Sequence, residues 1–180
     1  MLTALLSFSA GYDPITTCSS RSFDHVTSLG ASAAFDYKDA DCDKQIRDYT
    51  KDNLTKVLDC VSKDQSPQIC AAATSSRGGT ISHTLPYPED IGRKDIKTEL
   101  IFTLGMWGID FGYGEQVIPG NPEDLKFSKR MYAVAEKLLH DGKLKVHPPS
   151  PRSGGLDGIM DGLQELKSGK AGGVKLVYKI

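Results

Sequence analysis

The chain carries no surplus of either charge: 22 Lys and Arg face 23 Asp and Glu, for a net charge of -1. Such a balance recommends neither nucleic acid nor an anionic membrane as a partner, so any bound anion must be held by local groups. The cysteines Cys18, Cys42, Cys60 and Cys70 form no C-x-x-C pair, and no histidine cluster stands at ligand spacing. A zinc site and a disulfide framework are therefore unsupported, and the thiols read as reduced and buried. The histidines (His25, His83, His140 and His147) sit on different segments, and none has a partner that would make it a catalytic base. Long apolar runs are missing too. The opening MLTALLSFSA is apolar but short and lacks a basic leader. This disfavours a signal peptide and a membrane helix, and the protein reads as intracellular and cytoplasmic.

What is present is enough chain for one domain. At 180 residues it is expected to bury roughly 70% of its unfolded surface. Short β-rich apolar runs centred near Ile15, Phe35, Leu58, Ile81 and Phe102 recur at even spacing, with helical or turn-like stretches between them. Phe23, Val26 and Leu29 keep helical spacing and Gly30 stops the run; Ile46, Tyr49 and Thr50 repeat the pattern. In SPQICAAA, Ser66 is expected as N-cap with Pro67 at the first helical position, ahead of an RGG break before TISHTL. Successive crossovers of this kind require a parallel, doubly covered sheet connected right-handedly.

The second half differs. Asn121 and Pro122 open a strong helix pattern whose apolar face runs Leu125, Tyr132, Ala135, Leu138 and Leu139, with Gly142 as its stop. Beyond it the sequence predicts a short strand KLKVH, a Pro/Ser/Gly-rich loop from Pro148 to Gly155, an amphipathic helix LDGIMDGLQELKSG and a terminal strand GVKLVYKI.

One stretch, YDPITTCSSRSF, raises a chemical question. Its strand ends without a carboxylate and leads into Ser19, Ser20, Arg21 and Ser22, just ahead of a helix. In a dinucleotide-binding sheet the loop after the second strand faces the adenosine ribose, where hydroxyls and a fixed cation suit a 2′-phosphate. The same residues also describe an ordinary Ser-capped helix with a solvated arginine.

From Gly11 to Ser62 the sequence, with its YDPITTCS strand, FDY after an LGA helix end, and LDC closing the next strand, resembles the zinc-independent medium-chain dehydrogenase/reductases. Within them it is similar to the trans-acting enoyl reductases of fungal polyketide pathways, and the resemblance continues to the closing GGVKLVYKI. It implies NADPH as cofactor, bound by Ser19, Ser20, Arg21 and Ser22 at the 2′-phosphate. Tyr37 is implied near the adenine, Thr84 and Leu85 on the nicotinamide side, and Ala171 and Gly172 near the terminal strand. The segment Thr103, Leu104, Gly105, Met106 and Trp107 matches a stretch that contacts the acyl substrate, where Met106 and Trp107 suit an apolar chain; from the residues alone it is equally a buried strand.

The resemblance also sets an expectation about organisation. MLTALLSFSA takes the place of residues inside the first crossover helix, so the family's first strand, its Gly-rich pyrophosphate turn and its N-terminal domain have no counterpart in the sequence. The glycine pairs at Gly78, Gly154 and Gly172 do not follow a strand and open a helix. The expected fold is thus α/β: an incomplete Rossmann-like parallel sheet over residues 1–114, and pieces of the reductase catalytic subdomain over residues 115–180. The implied function is NADPH-dependent reduction of α,β-unsaturated polyketide thioesters, with a polyketide synthase as partner. The alternatives are a catalytically silent module docking on a synthase or a full-length reductase through the uncovered sheet, which also permits self-association, and a cofactor-free isomerase or cyclase.

Overall fold

The computed structural model describes residues 11–180; the expected place of MLTALLSFSA in a crossover helix lies outside them. Four short strands follow the first four apolar runs, β1 (Ile15–Cys18), β2 (Ala33–Asp36), β3 (Lys56–Asp59) and β4 (Gly79–His83), and a fifth, β5 (Ile96–Leu100), ends just ahead of the run centred near Phe102. Among the described residues they form two parallel sheets, β1–β2 and β3–β4–β5, with Ile15 opposite Ala33, Lys56 opposite Thr80 and Gly79 opposite Ile96. Two partial sheets in place of one continuous sheet agree with the expected α/β fold built on an incomplete Rossmann-like sheet.

Helices fill the crossovers. α1 (Phe23–Ser28) buries Val26 against Ala31 and ends at Gly30, whose φ of 96° is cheap only for glycine. α2 (Cys42–Tyr49) buries Cys42 and Ile46, one turn apart on one face. α3 (Ser66–Ala73) begins one residue earlier than expected: Gln65 is the N-cap and makes no side-chain cap bond. The Ser66 hydroxyl, now inside the first turn, donates to the buried Asp59 carboxylate at Oδ2 (2.5 Å), a charge-assisted bond.

α2 and α3 join the two sheets. Cys42, Ile46 and Ala73 form one core cluster, packed with Ile15, Phe35, Leu54 and Ile69 from both sides of the junction. The carboxyl end of α3 is unusual. Ser75 N–H donates to Leu54 O and Ser76 N–H to Asp52 Oδ1, so the last carbonyls of the helix lose their intrahelical partners. Two guanidiniums replace them. Arg47 Nη2, from α2, donates to Ala72 O and to Thr74 O (2.9 Å). Arg93 donates to Ala71 O (3.2 Å), Thr74 O (3.4 Å) and Ser75 O (2.8 Å) while also pairing with Asp95.

Several expectations are corrected. β5 stops at Leu100, and Phe102 leads into a 3-10 turn, Thr103–Trp107, closed by Gly108 at φ 65°; glycines at 105 and 108 favour a turn over a strand. A hairpin of β6 (Phe111–Tyr113) and β7 (Gln116–Ile118) follows, and the domain division expected at residues 114/115 falls at its turn. KLKVH is not a strand. The strand is β8 (Pro149–Arg152), inside the segment expected to be a loop, and it runs parallel to β9 (Lys175–Tyr178). Pro149 and Pro151 are two residues apart, so their missing N–H groups fall on one side, the outer side of an edge strand.

α4 (Pro122–His140) starts as expected, with Asn121 Oδ1 accepting from Glu123 N–H at 3.0 Å. Its apolar face is not covered as expected: Leu125, Ala135 and Leu138 are half-buried, whereas Tyr132 and Leu139 are exposed, as are Phe127 and Met131. α5 (Ile159–Lys167) packs on β9 at Gly162, where any side chain would overlap the Tyr178 hydroxyl, and Arg152 grips Glu165 with two bonds, the shorter 2.7 Å. Burial is lower than length predicts. The accessible surface is 12,450 Å², against about 8,500 Å² for a compact monomer of this mass. The sheets are not doubly covered: along β3, Lys56 and Leu58 are exposed while Val57 and Asp59 face inward, and β5 is exposed from Lys97 to Leu100.

Candidate functional site

Parallel strands place all their carboxyl ends on one edge, and ligands of open α/β sheets bind outside that edge. Here a direct bond shows that both sheets share it: Gln65 Nε2, just beyond β3, donates to Tyr37 O, just beyond β2, at 3.1 Å. Along this edge lie Ser19–Ser22 after β1, Tyr37 after β2, Cys60–Ser62 after β3, and Thr84 and Leu85 after β4.

The β1 exit forms a single 3-10 turn, Ser20–Ser22, with Ser19 Oγ and Ser22 Oγ 3.5 Å apart. Arg21 is exposed, and no carboxylate pairs with it among the described residues. The strand's own tip carries no carboxylate, but the next strand brings one: Asp36, opposite Cys18 in register, accepts the Ser20 N–H through Oδ2 at 3.2 Å. Its other oxygen accepts Lys38 N–H at 3.0 Å. The Lys38 and Ser20 amides hold the Asp36 carboxyl below the usual carboxylate range, so the charge is present at neutral pH. Tyr37 is 40% exposed, its ring flanked by Lys38 Nζ at 5.9 Å from the centroid.

The β3 and β4 exits share a polar network that sequence reading missed. Asp59, last in β3 and 4% exposed, accepts Val61 N–H (2.9 Å) and Ser62 N–H (2.8 Å) at Oδ1. Its Oδ2 takes Ser66 Oγ–H and Tyr87 O–H, the latter at 2.8 Å. Burial opposes ionisation of Asp59, but the bonds from Ser66, Ser62 and Tyr87 outweigh it and hold the carboxyl below its ordinary range. The same burial pushes the Cys70 thiol up to about 12, with Asp59 adding to the effect. The available signal was an aspartate closing an otherwise apolar run in KVLDC, a residue type that strands bury only when it is fully bonded. Cys60 is exposed rather than buried, since it follows Asp59 and points the other way; Cys42 is buried, Cys18 and Cys70 half-buried.

Thr84 and Leu85 rest on this network. Thr84 N–H donates to Ser62 Oγ at 3.0 Å, and Leu85 O lies 2.7 Å from His83 Nδ1, while the Leu85 side chain is 48% exposed. Ala171 and Gly172 are elsewhere, in the turn between α5 and β9, where Gly172 has φ 65°. The Thr103–Trp107 turn packs on α4: a side chain at Gly105 would meet Asp124, and one at Gly108 would press on Leu125. Leu104 and Trp107 are exposed and Met106 half-buried, so the reading of this run as a buried strand is corrected. Behind the turn, Phe102 stacks on Phe111 at 4.8 Å. A depression of about 270 Å³ lined by Pro88, Ile91, Arg93, Lys94, Ile96 and Thr98 lies at the start of β5 and contains none of the expected site residues.

No family model matches the chain. Among curated proteins, it is 43% identical over 157 residues to a dual trans-enoyl reductase/FAD-dependent monooxygenase of Aspergillus terreus, covering 87% of the chain and 22% of that protein. It is 38% identical over 170 residues to a trans-enoyl reductase of Alternaria alternata, covering 94% of the chain and 48% of the relative. Among solved structures, a quinone oxidoreductase of Pseudomonas syringae aligns with a TM-score of 0.75 at 21% identity, over 99% of the chain and 52% of its own; at that identity the match establishes the fold. Fungal trans-enoyl reductases are thus homologues of nearly the whole chain, its fold is that of enoyl reductases and quinone oxidoreductases of known structure, and it spans about half the length or less of the curated relatives it matches.

Proposed function

We propose that the chain is the nucleotide-binding portion of an NADPH-dependent enoyl reductase acting on α,β-unsaturated polyketide thioesters delivered by a polyketide synthase. The observation that carries this reading is the shared carboxyl edge, where Ser19–Ser22, Tyr37, Thr84 and Leu85 line up across two sheets joined by the Gln65–Tyr37 bond. When bound, NADPH would supply the hydride. The chain's own residues would bind and orient it: Arg21 and the Ser19 and Ser22 hydroxyls at the 2′-phosphate, the Tyr37 ring at the adenine, and Thr84 and Leu85 beneath the nicotinamide. Ala171 and Gly172 would approach from the α5–β9 turn, and the Thr103–Trp107 turn would offer Leu104, Met106 and Trp107 to the acyl chain.

The Ser20 amide, held by Asp36, is the donor that must be released for a phosphate to use it. Arg21 is therefore the principal anion ligand in this reading. Calorimetric titration with NADPH, with NADH and with an Arg21→Ala variant tests it. Selective NADPH binding that weakens about tenfold or more in the variant supports the assignment, since a charged hydrogen-bonding partner is lost; equal binding of NADPH and NADH, unaffected by the variant, refutes it.

A second reading, a docking module, is favoured by the exposed Leu58, Leu100 and Ile101 on and beside the three-stranded sheet and by the exposed Phe127, Met131 and Tyr132 of α4. Sedimentation equilibrium separates the two: concentration-dependent association without nucleotide binding supports the module.

A further inference from the structure

We infer that Asp59 and Tyr87 are positioning residues that fix the segment from Thr84 to Tyr87, and with it the surface that would receive the reactive ring of a dinucleotide; the inference rests on the cofactor reading above. The segment spans only four residues but is anchored three times, twice from the β3 exit and once from His83 at the end of β4. Its first amide, Thr84 N–H, is held by Ser62 Oγ, and the Ser62 hydroxyl itself donates to Asp59 O at 2.9 Å. At its far end, Tyr87 O–H is held by the Asp59 carboxylate. Between them, the Leu85 carbonyl meets His83 Nδ1, and the His83 ring stacks on Tyr87 with centroids 4.3 Å apart and planes 13° from parallel.

Ser62 is itself constrained, a non-glycine residue at φ 56° and 3% exposed, kept there by the bond of its own N–H to Asp59 Oδ1. A carboxylate is an expensive way to fill a core position, and an apolar residue would serve packing better. Four donors converging on one buried carboxylate instead fix geometry, because together the bonds tie three segments to one point: the β3 exit, the start of α3 and the β4 exit. Above the network the Thr84 and Leu85 side chains are exposed at the carboxyl edge. Buried anchors beneath an exposed shelf are the arrangement that preorganised binding requires.

The test is Tyr87→Phe, which keeps the ring on His83 and removes one of four donors to Asp59. Calorimetry is run on wild type and variant with NADPH and with 2′,5′-ADP, which carries the phosphates and adenosine but no nicotinamide. The expected result is about a tenfold loss of NADPH affinity with 2′,5′-ADP affinity unchanged within twofold. A purely structural role would shift both ligands together, and that outcome overturns the inference, as does a variant that binds both ligands like wild type. Wild-type protein that binds neither ligand refutes the cofactor reading itself, and the positioning role with it. Asp59→Asn, which keeps acceptors for Val61 and Ser62 while turning an amide toward the two hydroxyls, is expected to show the same ligand-specific loss to a smaller degree.

Discussion

Arg47 and Arg93 offer a sharp test of how the two sheets are held in one body. Both donate to the carbonyl of Thr74, a residue with no exposed surface, and each also holds further carbonyls at the end of α3. Hydrogen bonds from a charged donor contribute about 1.5–3 kcal/mol each in favourable cases. The two side chains are 34% and 23% exposed, so solvent screens part of that. Each single alanine substitution is therefore expected to cost about 2 kcal/mol, lowering Tm by about 4–8 °C for a chain of this size. The double variant should cost more than the sum, by about 1 kcal/mol. Either single variant leaves Thr74 O with one donor, whereas the double variant strands a buried acceptor. Urea unfolding followed by circular dichroism at constant m value measures all four corners of the cycle. Additive losses would show that the two guanidiniums do not share Thr74 O, and single losses below about 0.5 kcal/mol would show that the junction does not depend on them.

Three further outcomes are expected. Gly78 has φ 87°, and a β-carbon there would overlap the Asp95 carbonyl; Gly78→Ala should destabilise by about 3 kcal/mol or more in the same urea assay, combining left-handed strain with a backbone clash. The Asp59 carboxyl is held below its ordinary range in the folded state, so its contribution to stability is present above about pH 4 and is lost as pH falls through its lower folded value. Unfolding curves from pH 7 to 3 should show a steeper acid loss for wild type than for Asp59→Asn. Asp36→Asn removes a negative charge beside the proposed phosphate loop, and calorimetry at low salt should show NADPH affinity rising about threefold with NADH unchanged.

The first four parallel strands were legible because each is a short, mostly apolar run bounded by a helix or turn, and that local pattern survives even where the sheet around it is incomplete. Val26, Ile46 and the Asn121 cap were legible for the same reason: spacing and capping are properties of a few neighbouring residues. What could not be read depends on partners distant in sequence. Asp36 reaches a loop 16 residues away, Tyr87 reaches a carboxylate 28 residues away, and Arg47 caps a helix 25 to 27 residues ahead. No periodicity encodes such bonds. The β8 strand was hidden by its prolines, which read as loop until a parallel partner shows that their missing amides face outward.

The mislaid readings also share a direction that bears on function. Apolar patterns expected to be buried, at Tyr132 and Leu139 of α4 and at Leu58 of β3, are instead exposed, while the polar residues Asp59 and Ser62 at the β3 exit are buried and bonded. Patterning records the surface a chain is built to cover, whether or not the cover is present. Hydrogen-bond satisfaction, by contrast, is completed within the chain, since a buried carboxylate cannot wait for a partner. The polar network at the β3 and β4 exits is complete among the described residues, and the proposed cofactor half-site stands or falls on affinity measured with this chain. The exposed apolar faces make a separate demand: if they are interaction surfaces, substituting Phe127 and Met131 of α4 with Ser should abolish concentration-dependent association in sedimentation while leaving NADPH titration unchanged. Loss of both together would show that the faces support the fold of the edge, and that the two halves are not independent.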